Sequence, residues 1–179
     1  MEKVIVIIKN VNRNYILKGG CYLKKLSLRL FNSKDIALFE KWLYIPHVAK
    51  WYHNPLDWID EVKKRNDEFS FLHHFIVEVE NKPIGFCQYY EYHHSGEKWH
   101  GKIDIDGAYS IDYLIGETEY LGVGFGKKII QALIEKIKLQ NNVKCIIVQP
   151  EQENKASCNT LLSSGFFFDM NNEIFIIEF

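Results

Sequence analysis

A chain of 179 residues has room for one domain with a sizeable buried core. Its formal charge of -1 argues against a nucleic-acid binder, which needs a basic excess or stripe to neutralise phosphates. No apolar run approaches a membrane span, the four cysteines form no C-x-x-C pair, and the run 4–8 is too short for a signal peptide, so a cytoplasmic protein with reduced thiols is expected.

Residues 1–20 read as an extension, with a candidate edge strand at Val4–Ile8 followed by Asn10, Asn12, Asn14 and Gly19-Gly20; residues 21–179 read as the single domain. Tyr22–Phe31 forms the first strand, and Asn32 or Ser33 caps a helix with Ile36, Phe39, Trp42 and Leu43 at helical spacing. Asn54, Pro55 and Asp57 start a second helix over Leu56–Asn66. Trp51 and Tyr52 fall in the loop between these helices, where recognition residues concentrate. Phe69–Val79 and Ile84–Tyr92 read as a hairpin joined by Glu80-Asn81-Lys82-Pro83, and the polar stretch 93–107 as a functional loop or local disorder. The pairs His73-His74 and His93-His94 are taken as strand neighbours pointing to opposite faces, so no chelate and no metal site is expected.

The segment Tyr109–Ile115 sets Ile111, Tyr113 and Ile115 against Ser110, Asp112 and Leu114, a largely buried strand. A glycine-rich turn follows, then an amphipathic helix carrying Ile129, Ile130, Leu133, Ile134 and Ile137. Lys144–Val148 is a short buried strand, and Asn154–Ser164 a helix closed by Gly165. Phe166–Met170 and Glu173–Phe179 make a last hairpin through Asn171-Asn172, a pair that tolerates positive φ.

Strand, glycine turn and helix N-terminus together make an anion site. A nucleoside-triphosphate loop is excluded, because Gly122 and Gly126 enclose too few residues and Lys128, not Ser or Thr, follows Lys127. A dinucleotide fingerprint is excluded by Lys127 where its third Gly belongs. What remains, Leu121-Gly122-Val123-Gly124-Phe125-Gly126, resembles the Q/R-x-x-G-x-G/A pyrophosphate loop of the GCN5-related N-acetyltransferases, with Leu121 in place of the usual Gln or Arg. A glycine-rich helix start that binds nothing is the alternative.

The resemblance implies a mixed α/β fold whose mostly antiparallel central sheet splays between its fourth and fifth strands. It implies acetyl-CoA as co-substrate, held by residues 121–127 (Leu121, Gly122, Val123, Gly124, Phe125, Gly126, Lys127), with Leu114 and Ile115 bordering the pantetheine channel. Asn154, before Gly165-Phe166, matches the Asn that contacts the pantetheine arm, whereas Leu161 stands where many relatives have a Tyr that protonates the thiolate.

Asp112, a lone carboxylate in an apolar strand, is the candidate base; a structural Asp on a solvated face is the alternative. Between Ile103 and Gly126 there is no Lys or Arg, while Asp104, Asp106, Asp112, Glu117 and Glu119 all fall there. That split suits a polycationic small molecule on the acidic side and a phosphate ligand beside Lys127 and Lys128, or else a solvated loop without a ligand.

Trp51-Tyr52, Ser95-Gly96-Glu97-Lys98-Trp99 and Ile111-Asp112 are similar to segments of the aminoglycoside 6'-N-acetyltransferases. Carried over, Trp51, Tyr52, Glu97 and Trp99 line the acceptor site with Asp112, and Asp112 is the base. Gln149-Pro150 stands where that group often has an Asp before Pro. The expected reaction is acetylation of a primary amine on a cationic small molecule by a monomer or homodimer, without nucleic acid, membrane or metal. Another amine (polyamine, siderophore hydroxylamine, protein N-terminus) or a non-catalytic acyl-CoA binding module are the alternatives.

Overall fold

The computed structural model describes residues 24–179, so the expected extension and its candidate strand lie outside the described residues. Twelve elements matter here: β1 Leu26–Leu30, α1 Ile36–Leu43, α2 Pro46–Ala49, α3 Pro55–Lys63, β2 His73–Val79, β3 Lys82–Glu91, β4 Ala108–Ile115, α4 Phe125–Ile137, β5 Cys145–Val148, α5 Lys155–Ser163, β6 Phe167–Asp169 and β7 Ile174–Glu178. The strands form one mixed sheet in the order β1-β2-β3-β4-β5-β7-β6, in which only β4 and β5 run parallel.

That parallel pairing stops after Ala108↔Cys145 and Tyr109↔Ile146, although β4 continues to Ile115. Beyond it the two strands diverge. Alternate β4 side chains enter different layers, as strand geometry requires. Ile111 joins the cluster built by Ile129, Ile130, Leu133 and Ile137 of α4 with Leu161 of α5. Leu114 instead joins the cluster of Phe39, Trp42 and Leu43 from α1 with Ile59 and Val62 from α3. Each buried Ile, Leu or Phe contributes about 1.5–3 kcal/mol, so the two helical layers grip β4 from both sides.

Several expectations are corrected. Phe69–Leu72 is a helical turn, not strand, closed by Leu72 N donating to the Phe69 carbonyl at 3.1 Å. The aromatics raise strand propensity there, but Phe71 packs edge-on against Tyr90 from outside the ladder. The loop before Trp51 holds the short helix α2, and Trp51 and Tyr52 follow it in a turn. The hairpin joining β2 and β3 needs only Glu80 and Asn81, with φ of 51° and 64°. In the last hairpin Glu173, at φ 56°, adopts the left-handed conformation expected of Asn171 or Asn172, which bind the Asp169 carboxylate instead.

The stretch 93–107 is anchored: Tyr92 packs on Trp99 and His100 with ring centroids 4.7 and 5.3 Å away, and Lys102 N donates to Asn172 Oδ1 at 2.8 Å. His93 and His94 lie in a 3-10 turn, not a strand, so the opposite-face expectation fails for them. His93 Nδ1 and His94 Nε2 both turn toward Glu91, at 3.3 and 3.7 Å.

Candidate active site

The glycine turn starts from a tight passage. A Cβ on Gly116 would lie 2.2 Å from the Trp42 ring, and Trp42 Nε1 donates to Glu117 Oε1 at 3.0 Å. The chain then reverses through Gly122 and Gly124, at φ +71° and +90°, a backbone region that glycine enters without strain. No atom lies within 4 Å of a Cβ built on either one. Gly124 is the N-cap of α4 and has no side chain to cap it, so the amides of Phe125, Gly126 and Lys127 open the helix without intrahelical acceptors. Positive helix-dipole charge concentrates at these same atoms.

This turn borders a cavity of about 690 Å³ that runs from Gly122, Gly124, Gly126 and Lys127 along Thr160 and Ser157 to Leu114 and Ile115. Leu121 lies at its edge, 40% exposed. Two anticipated residues sit elsewhere: Val123 points into solvent, and Phe125 is buried edge-on against Tyr120 at 5.3 Å. Asn154 is the N-cap of α5, its Oδ1 accepting from Ser157 N at 3.1 Å.

A second cavity, of about 260 Å³, opens on the α1–α3 side of β4. Its walls bring together Trp51, Tyr52, Glu97, Trp99 and Asp112, which span 62 positions of sequence. Asp112 Oδ2 accepts from Gln88 Nε2 at 3.0 Å, across the register Gln88↔Asp112. Glu97 Oε2 accepts from Trp99 Nε1 at 2.8 Å and from Tyr90 Oη at 3.3 Å. Tyr52 and Trp58 pack with ring centroids 4.7 Å apart, and Glu151 on the opposite wall meets His53 Nε2 at 2.8 Å.

The Asp112 carboxyl is part-buried at the cavity wall, with most of its surroundings protein. That burial pushes its pKa up to about 7, against the Gln88 hydrogen bond, with the charges of Glu61 and Glu97 adding to the rise. Gln88 Oε1 is buried and unpartnered, so its amide is committed to Asp112 alone.

Sequence reasoning missed Tyr90, Trp58, Ser110 and Tyr113 as cavity walls, and Gln88 as the buried partner of Asp112. Gln88 and Tyr90 alternate on one face of β3, but only the cross-strand register reveals which face meets Asp112. The acidic stretch 103–126 is not a single acidic face. Asp104 and Asp106 meet Lys144, Glu119 pairs with Lys82 at 2.6 Å, and Glu117 holds Trp42. Asp112 alone of that set lines the second cavity. The expected tyrosine position, Leu161, is fully buried in the core and offers no proton.

The two cavities share Trp51, Tyr52, Tyr113, Asn154 and Ser157 and therefore adjoin where β4 diverges from β5. Residues 32–173 match the acetyltransferase (GNAT) domain family. This chain belongs to the GNAT acetyltransferase family. Among the sequence relatives of this GNAT protein are aminoglycoside N(6')-acetyltransferases type 1 from Klebsiella pneumoniae and Serratia marcescens, each 25% identical over 147 residues, or 79% of this chain and 73% of the relative. Its fold is similar to that of AAC(6')-Ib solved with paromomycin and acetyl-CoA, with a TM-score of 0.73 at 23% identity, covering 86% of this chain and 93% of that one. An aminoglycoside N(6')-acetyltransferase from Legionella pneumophila has a TM-score of 0.66 at 20% identity, covering 86% and 91%. These structural likenesses speak for the fold.

Among the described residues, no helix is long and apolar enough to cross a membrane.

Proposed function

We propose that this GNAT enzyme transfers the acetyl group of acetyl-CoA to a primary amine of a polycationic small molecule, the 6'-amine of an aminoglycoside. The observation that carries this reading is the placement of Asp112. A carboxylate whose pKa is raised to about 7 faces an aromatic, acidic cavity that adjoins the glycine-loop cavity where β4 diverges from β5. The relatives named as aminoglycoside 6'-acetyltransferases support the choice of acceptor.

The residues present fit acetyl-CoA. In this reading the amides of 121–127 hold its pyrophosphate, where Gly122 and Gly124 leave open space around the main chain. Leu114, Ile115 and Asn154 border the pantetheine arm. When bound, acetyl-CoA supplies an activated thioester at the junction of the two cavities.

Trp51, Tyr52 and Trp99 form a wall for a sugar ring, and Glu97 pairs with a remote ammonium. Asp112 takes the proton of the reacting ammonium. A pKa near the working pH suits a group that must be ionised yet strong enough to accept.

Main-chain groups of β4 complete the site. The carbonyls of Gly107 and Ile115 point away from β3, toward Lys144 N at 2.9 Å and His47 Nε2 at 2.8 Å. Alternation then turns the amides of Ile111 and Tyr113 the same way, into the splay. There they stabilise the negative charge that develops on the acyl oxygen.

An acceptor screen that follows thiol release tests the proposal. Aminoglycosides with a free 6'-amine should turn over faster than polyamines, hydroxylamines or peptide N-termini. Slow turnover on every aminoglycoside with a fast alternative amine refutes the acceptor, and acetyl-CoA binding without product from any amine refutes catalysis.

A further inference from the structure

If the thioester reacts where the two cavities meet, the nearest protein proton donors for the departing sulfur are the groups that line that junction. The five shared wall residues offer three hydroxyls, those of Tyr52, Tyr113 and Ser157, and no other proton donor except amides and an indole. An aliphatic hydroxyl such as Ser157 is too weak an acid to surrender a proton outright.

The two phenols occupy different sides of the sheet. Tyr52 packs against Trp58 in the layer of α1 and α3, where burial and the nearby Asp112 charge both hold its proton. A Tyr52 phenolate would form beside the carboxylate that must itself be ionised. Tyr113 points to the opposite face of β4 from Asp112 and packs at the edge of the α4–α5 core. Burial raises the Tyr113 pKa as well, but the Ser157 and Thr160 hydroxyls oppose that rise and the Asp112 charge that acts on Tyr52 does not add to it; the Tyr113 Oη lies 3.3 Å from Ser157 Oγ. Ser157 sits in the first turn of α5, where positive helix-dipole charge favours a phenolate. Ser157 lines both cavities, so a proton can return to Tyr113 through its hydroxyl.

We propose that Tyr113 is the general acid of this acetyltransferase, a role resting on the reading that acetyl-CoA reacts at the junction. The proton count closes. The ammonium gives one proton to Asp112, which passes it to solvent. As the C–N bond forms and the C–S bond breaks, the nitrogen gives a second proton to the again-ionised Asp112, which passes it to solvent, from where it replaces the proton that Tyr113 donates. The sulfur leaves with the C–S electron pair and takes the Tyr113 phenolic proton. Tyr113 is then reprotonated through Ser157, and one proton is released overall.

The test compares the affinities of coenzyme A and desulfo-coenzyme A by calorimetry, for the whole chain and for Tyr113→Phe and Tyr52→Phe. A phenol donating to the thiolate gives the wild type a preference for coenzyme A of roughly tenfold. Tyr113→Phe should erase that preference, leave desulfo-coenzyme A within about twofold, and lower kcat on the order of 100-fold. Tyr52→Phe should keep the preference. A preference retained in Tyr113→Phe, or lost in Tyr52→Phe alone, overturns the assignment, as does equal binding of the two ligands by wild type. Wild type that binds neither ligand would instead refute the underlying acetyl-CoA reading.

Discussion

Replacing Asp112 by Asn should stabilise the protein while disabling it. The carboxyl rises from an ordinary 3.8 to about 7 because burial penalises its charge. At about 1.4 kcal/mol for each of roughly three units, ionising Asp112 in the folded state costs about 4 kcal/mol more than in the unfolded chain. The sign follows from proton binding. Between about pH 4 and 7 the folded protein holds a proton that the unfolded chain has lost, so stability declines with rising pH across that window. The amide of the Asp112→Asn variant has no such titration, and its oxygen can still accept from Gln88 Nε2. Thermal melts of the unliganded proteins should therefore coincide most closely near pH 4 and separate as pH rises, with the variant melting on the order of 10 °C higher at pH 8. Its kcat on the preferred amine should fall by roughly 100-fold or more while acetyl-CoA affinity changes little. A Tm difference independent of pH would refute the buried-charge account, and an unchanged kcat would refute the base.

Three further outcomes are expected. Because Asp112 must be ionised to act, kcat/KM should fall as pH drops below about 7, approaching tenfold per unit; a midpoint near an ordinary carboxylate value would contradict its burial. Glu97→Gln removes the charge that Trp99 and Tyr90 orient, so KM for polycationic acceptors should rise roughly tenfold with kcat nearly unchanged; an unaltered KM would remove Glu97 from the acceptor wall. Gly124→Ala forces a Cβ onto a residue at φ +90°, costing about 1–2 kcal/mol, and should weaken acetyl-CoA binding in calorimetry, while Val123→Ala, whose side chain lies in solvent, should change neither stability nor binding.

What the sequence disclosed of this site is what is local in the chain. The glycine turn is contiguous with its strand and helix, and Asp112 interrupts an apolar alternation that can be read without a partner. Gln88 stands 24 residues from Asp112, and nothing near it announces the β3–β4 register that joins them. Propensity misled at Phe69–Leu72, where tertiary packing on Tyr90 outweighed the aromatic preference for strand. Charge counting misled at Glu117 and Glu119, because a local run of carboxylates does not reveal that Trp42 and Lys82 engage them from 75 and 37 residues away.

Two residue pairs alone join β4 to β5, so the antiparallel half from β1 to β4 and the half from β5 to β7 meet along a short seam. A molecule threaded there acts as a dowel between the leaves. Filling the slot should therefore knit the halves into one cooperative unit, and amide protons on β5 and β7 should exchange more slowly once it is occupied.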